Sequence, residues 1–102
     1  METERHLELH AIDPAERPRE RLLELGAGVL TDAELIAVLL GTGSAGTPAL
    51  AAAARVTAAV NVRRLHQAAP EDLVSIRGVG RARAAQLLAA AELGRRLWPD
   101  GA

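Results

Sequence analysis

The sequence predicts an all-α protein, a small bundle of five or six short helices. Three observations predict it. Helix start and stop signals recur along the chain, and no stretch alternates apolar and polar residues as a half-buried strand would. The apolar residues are almost entirely aliphatic: 49% of the 102 residues are hydrophobic but only 1% aromatic, Trp98 standing alone. A core of Leu, Val, Ile and Ala suits close-fitting helices. The length bounds the chain to one domain, with a modest core and a marginal stability.

Taken in order, residues 1–12 show weak periodicity and are expected to be loose or extended. Pro18 is a favourable first helical residue, and a helix over 19–25 carries Leu22, Leu23 and Leu25 before Gly26 stops it. Thr31-Asp32-Ala33-Glu34 is a capping box, with the Thr31 hydroxyl and the Glu34 carboxylate satisfying each other's backbone N–H. The helix that follows is expected to bury Leu35, Ile36, Val38 and Leu39 and to end at Gly41. A glycine-rich loop leads to Thr47-Pro48, which opens an alanine-rich third helix. That helix ends near Val60, with Asn61 able to close it in the left-handed region. Residues 63–68 form a short helical turn. Pro70 starts a short helix ending near Ile76. The last helix runs from Arg81 to about Trp98, buries Ala84, Leu87, Leu88 and Ala91, and is stopped by Pro99. The domain is thus expected over 13–98, with a tail at 99–102.

Charge and composition exclude several functions. There is no Cys, hence no disulfide and no thiolate metal site. His6, His10 and His66 are scattered, so no zinc set can be built and no metal or cofactor is expected. No signal peptide and no apolar run of spanning length are visible, so a cytoplasmic protein without membrane contact is expected. Asp100 follows Trp98-Pro99 much as the catalytic Asp follows the hairpin in some DNA glycosylases. Only Gly101 and Ala102 come after it, and no Lys is available for Schiff-base chemistry, so no catalytic residue and no enzyme are expected. The net charge is −1, but it is unevenly spread. Acids dominate up to Glu34; beyond it Arg55, Arg63, Arg64, Arg77, Arg81, Arg83, Arg95 and Arg96 outnumber Glu71, Asp72, Glu92 and Asp100. Every basic residue is Arg, whose planar fork suits phosphate.

Residues 72–88, DLVSIRGVGRARAAQLL, are the most informative run. A short apolar helix meets Gly78-Val79-Gly80, and a second helix opens with Arg81 and Arg83. Glycine can take positive φ or admit another backbone closely. The first N–H groups of the second helix have no intrahelical acceptor, and the helix dipole is positive there. Together they make an anion site. Two arginines in a first turn oppose the dipole unless an anion is expected. The candidate phosphate-binding residues are Arg77, Gly78, Val79, Gly80, Arg81, Ala82 and Arg83, with both Arg81 and Arg83 exposed. The competing reading is a tight turn with Val79 plugging the core and the arginines solvated. A helix-turn-helix reader is less suited, since Ala82, Ala84 and Ala85 offer no groups to read bases.

The run has an echo. Aligning Gly78-Val79-Gly80 on Gly41-Thr42-Gly43 places Leu73 on Ile36 and Ile76 on Leu39. A pseudo-duplicated pair would make Gly41, Thr42, Gly43 and Ser44 a second hairpin, over a core including Leu39, Leu50, Ile76 and Leu87. The plainer reading is a helix cap followed by a glycine-rich loop.

Arg17-Pro18-Arg19-Glu20-Arg21-Leu22-Leu23, Leu30-Thr31-Asp32-Ala33-Glu34-Leu35 and Leu39-Leu40-Gly41-Thr42-Gly43 closely resemble the N-terminal domain of the RadC family. So do Ile76-Arg77-Gly78-Val79-Gly80 and Glu92-Leu93-Gly94-Arg95-Arg96. The resemblance covers residues 13–97. It departs where the family's glycine pair after the third helix is Asn61-Val62. It implies a helix-hairpin-helix domain in proteins associated with DNA repair, usually followed by a metalloprotease-like JAB/MPN domain whose His-x-His motif this chain lacks. The function expected is non-catalytic, sequence-independent binding of the DNA phosphate backbone. The alternative is a protein-docking helical module, in which the acidic first third and the Trp98 region would matter most.

Overall fold

The computed structural model describes residues 17–41 and 48–99. Among them are five α-helices and two short 3₁₀ turns, and no strand. The helices are α1 (Arg17–Leu25), α2 (Asp32–Leu40), α3 (Ala49–Ala59), α4 (Pro70–Val74) and α5 (Gly80–Leu97). The 3₁₀ turns are Ala27–Val29 and Val62–Gln67. The protein is the all-α bundle that the sequence predicts. The expected loose segment 1–12 lies outside the described residues, as does the tail beyond Pro99.

The local signals act as chemistry requires. Pro18 sits in the first turn of α1 and is the only buried side chain of that helix, while Leu23 and Leu25 are exposed. At α2 the capping box is complete: Glu34 N–H donates to Thr31 Oγ1 at 3.2 Å, and Thr31 N–H donates to Glu34 Oε1 at 3.0 Å. Arg21 Nε lies 3.5 Å from Glu34 Oε2 and ties α1 to this cap. The Thr31 backbone bond, helped by Arg21 and the Thr31 hydroxyl, holds the Glu34 carboxyl below its usual range despite some desolvation. Asn61 differs from expectation. Its φ of −79° is extended, and its side chain accepts Arg63 N–H at 3.0 Å, so it opens the next turn instead of closing α3 in the left-handed region.

The core is aliphatic and small. Ala49, Ala52, Ala53 and Val56 form one stripe of α3 at helical spacing. They meet Ile36, Ala37 and Leu40 of α2, in the most extensive helix contact of the fold. Alanine on both sides lets the two backbones approach. Leu65, Leu73, Val79, Ala84 and Leu87 complete the cluster, with Ile76, Leu88 and Ala91 partly buried against it.

The α2 face is a correction. Of the four residues expected inside, only Ile36 is fully buried; Leu35 and Val38 are half-buried and Leu39 is 45% exposed. From Leu35 to Leu40 the helix is apolar on every side, so periodicity cannot select a face. Packing against the alanine stripe selects Ile36, Ala37 and Leu40. Leu50, on the far side of α3, is likewise exposed, so the core proposed for a duplicated pair keeps Leu87 and Ile76 and loses Leu39 and Leu50.

Leu73→Ala is expected to cost about 2–5 kcal/mol, since a fully buried side chain leaves a cavity. Leu39→Ala is expected to cost less than about 1 kcal/mol. Urea denaturation of both variants checks the assignment, and a larger loss at Leu39 would reverse it.

Candidate nucleic-acid interface

The chain reverses between α4 and α5 in a hairpin built on two short bonds. Ile76 N–H donates to Leu73 O at 3.1 Å, and Val79 N–H donates to Ile76 O at 3.0 Å. Gly78 and Gly80 take φ of 91° and 64°, the left-handed region that side chains avoid. A Cβ on Gly80 would meet nothing within 4 Å, so conformation and not space requires glycine there. Between them Val79 is 1% exposed and plugs the core. The plug of the plainer reading is therefore present, and it points the outer side of the turn to solvent.

α5 starts on that outer side. The N–H groups of Gly80, Arg81 and Ala82 have no acceptor among the described residues, and these three residues are exposed. As the first three residues of an 18-residue helix, they sit at the positive end of a full helix dipole. Arg77 and Arg81 are exposed beside them.

Arg83 is not where the sequence suggests. It was expected to be exposed with Arg81, but it is 3% exposed, and its Nη1 donates to Gly78 O at 2.7 Å. Position 83 shares the core-facing side of α5 with Ala84 and Leu87. Helical side chains lean toward the N-terminus, so a long one here folds back over the hairpin. Arg83 is thus removed from the residues that can touch a phosphate. Arg55, on α3, donates from Nη1 to Arg77 O at 3.3 Å. The sequence marks Arg55 only as one cation among many, since a contact across 22 positions has no local signature. Of the expected set, Arg77, Gly78, Gly80, Arg81 and Ala82 are brought together at the hairpin surface, Val79 and Arg83 underneath.

In the second candidate hairpin only Gly41 is described. It ends α2 with φ 65° and donates its N–H to Ala37 O at 3.0 Å, an ordinary helix C-cap. Thr42, Gly43 and Ser44 lie outside the described residues. Among the described residues, no group of three His, Asp or Glu could hold a metal ion, and no helix is long and apolar enough to cross a membrane.

The far end of α5 has different chemistry. Glu92 accepts Arg95 through both oxygens, at 2.9 and 2.8 Å, and Arg96 at 2.9 Å. These bonds, Arg95 first, hold its carboxyl down to about 2. Beside this cluster a groove of about 540 Å³ opens, lined by Leu35 and Leu39 of α2, Val62 and His66 of the 3₁₀ turn, and Ala91 and Trp98 of the α5 end. At about 1.5 Å per residue, the 11 positions from Gly80 to Ala91 put the groove wall at Ala91 about 16 Å along α5 from the hairpin.

Arg83→Ala is expected to lower unfolding free energy by about 1–3 kcal/mol, because a buried carbonyl loses its donor. Arg81→Ala should change it by no more than about 0.5 kcal/mol. Thermal melts of the two variants decide; equal losses would contradict the inward placement of Arg83. Glu92 gives a pH prediction. Its folded pKa of about 2 lies below the ordinary 4.5, so its stabilisation is full above that value and is lost as pH falls toward 2. Carboxyl NMR titration should find the depressed midpoint, and Glu92→Gln should flatten the acid limb of stability against pH.

Residues 9–85 match the family described as UPF0758 N-terminal. The chain is 42% identical over 89 residues to a UPF0758 protein of Methanococcoides burtonii, covering 87% of this chain and 39% of that protein. It is 49% identical over 83 residues to one of Bacillus licheniformis, covering 80% and 37%, and 43% identical over 96 residues to one of Roseiflexus, covering 93% and 41%. The chain therefore spans about two fifths of the length of the curated relatives it matches. No solved structure matches it. With the family pattern extending over most of its length, the chain belongs to the UPF0758 (RadC) family, whose N-terminal region it matches.

Proposed function

We propose that this chain is a non-catalytic, sequence-independent DNA-binding module acting in the cytoplasm, with the α4–α5 hairpin working as a helix-hairpin-helix motif. The observation that carries the reading is the row of acceptor-free N–H groups at Gly80, Arg81 and Ala82, open to solvent and flanked by Arg77 and Arg81. Such a row holds one phosphate oxygen by charge-assisted hydrogen bonds, and the exposed arginines add a salt-dependent attraction. Contacts of this kind position a protein on the backbone and read no sequence. A link to DNA repair follows from the RadC resemblance alone.

A second reading is a protein-docking module. The groove at the far end of α5 favours it, because Leu39 and Trp98 are 45% and 65% exposed along its wall. Trp98 is the only Trp, so its fluorescence reports occupation of that groove without a label. The two readings use opposite ends of α5 and are compatible.

Duplex DNA is expected to bind with Kd in the range of about 10⁻⁴ to 10⁻⁶ M at physiological salt, independently of sequence. Arg81→Ala should weaken it and lower the slope of log K against log salt by about one. Fluorescence anisotropy at several salt concentrations measures both. Parental affinity and slope in Arg81→Ala would show that the hairpin is not the contact surface, and a Trp98 shift without DNA binding would favour docking.

A further inference from the structure

Two successive carbonyls of the hairpin each meet an arginine from a different element. Arg83 reaches Gly78 O from inside α5, at 2.7 Å and from a buried position. Arg55 reaches Arg77 O from α3, at 3.3 Å. In a trans peptide the N–H points opposite to its carbonyl. A donor that holds the carbonyl therefore also sets the direction of the N–H. The peptide joining Gly78 and Val79 is held at both ends, its carbonyl by Arg83 and its N–H by Ile76 O. The peptide before it is held at its carbonyl by Arg55, which leaves the Gly78 N–H turned away from α3.

These ties fall where the backbone is least constrained. Gly78 and Gly80 have wide conformational freedom, and a loop with two glycines would otherwise rotate its peptide planes at little cost. An anion site made of N–H groups works only while those groups converge, and ordering them at the moment of binding would weaken it. We infer that Arg83 and Arg55 are positioning residues, a two-arginine clamp that holds the hairpin in its anion-binding form from behind and contacts no phosphate. The inference rests on the proposed DNA-binding role for its purpose, but the clamp itself is a property of the free protein. It also assigns opposite tasks to neighbouring arginines: Arg81 faces the ligand, while Arg83, two positions on, faces the turn.

The test uses Arg55→Ala, which removes an exposed side chain without opening the core, and Arg83→Lys, which keeps the charge but loses the planar fork. Amide hydrogen exchange of Val79 is measured in the free protein beside that of Val56 and Leu87. Duplex-DNA affinity is measured at several salts for the parent and Arg55→Ala. Val79 is expected to exchange at least about fivefold faster in both variants, with Val56 and Leu87 unchanged in Arg55→Ala, as local opening requires. Arg55→Ala is expected to bind about three- to tenfold more weakly with the parental salt slope, because no phosphate contact is lost. If Arg83→Lys unfolds the protein, Arg55→Ala decides alone. Unchanged Val79 exchange in Arg55→Ala overturns the clamp. So does a salt slope lower by about one with a rigid hairpin, which would make Arg55 a direct phosphate contact. A parent that binds no DNA while Val79 exchange responds as expected removes the DNA-binding role and leaves the clamp standing.

Discussion

Burial of Val79 at the point where the chain reverses between α4 and α5 sets the rest of the architecture. For its side chain to reach Leu73 and Leu87 in the core, the backbone must turn sharply on either side of it, and both flanking residues adopt positive φ. Only glycine does that cheaply. The same turn drives the Gly78 carbonyl inward, where it must find a donor, and Arg83 is that donor. It also drives the first N–H groups of α5 outward. Core plug, buried arginine and open helix start are therefore three consequences of one reversal, and none can be changed without the others.

The remainder of the bundle supports this reversal with little material. With no Phe or Tyr and a single exposed Trp, the interior relies on closeness more than on side-chain bulk. The alanine stripe of α3 serves that end. Each alanine buries little apolar area but loses no side-chain entropy, and it lets α2 and α3 come near enough for Ile36, Leu40 and Val56 to interlock. Arg55 stands on the opposite, solvent side of α3 and ties the helix to the hairpin by a second route.

Charge is distributed along α5 in keeping with its dipole at one end and against it at the other. Arg95 and Arg96 lie in the last turn, where cations are favoured, and converge on Glu92. Arg81 and Arg83 lie in the first turn, where cations are disfavoured. Arg83 is compensated by the carbonyl it holds. Arg81 has no acid partner among the described residues, and an incoming anion would relieve the conflict. One helix thus carries at its start an exposed arginine without an acid partner among the described residues, and at its end the groove around Trp98.

What was legible in the sequence was local. Thr31 and Glu34 announce a capping box, Pro18 and Pro70 announce helix starts, and Gly78 and Gly80 announce positive φ, because each depends on atoms within four residues. The all-α class and the family pattern were legible for the same reason. The choices that depend on distant neighbours were not. Leu35, Ile36, Val38 and Leu39 are equally apolar, and only the α3 stripe determines which of them turns inward. Asn61 has a side chain fit for either of two caps, and the turn that follows selects one. Arg81 and Arg83 are the same residue two positions apart, and a difference of about 200° around the helix axis sends one to solvent and the other under the turn. By itself the sequence determined the helices, the Thr31–Glu34 capping box and the hairpin. The tertiary structure alone decided which faces close on the core and which arginine serves the backbone, because those depend on packing and hydrogen bonds between residues far apart in the chain.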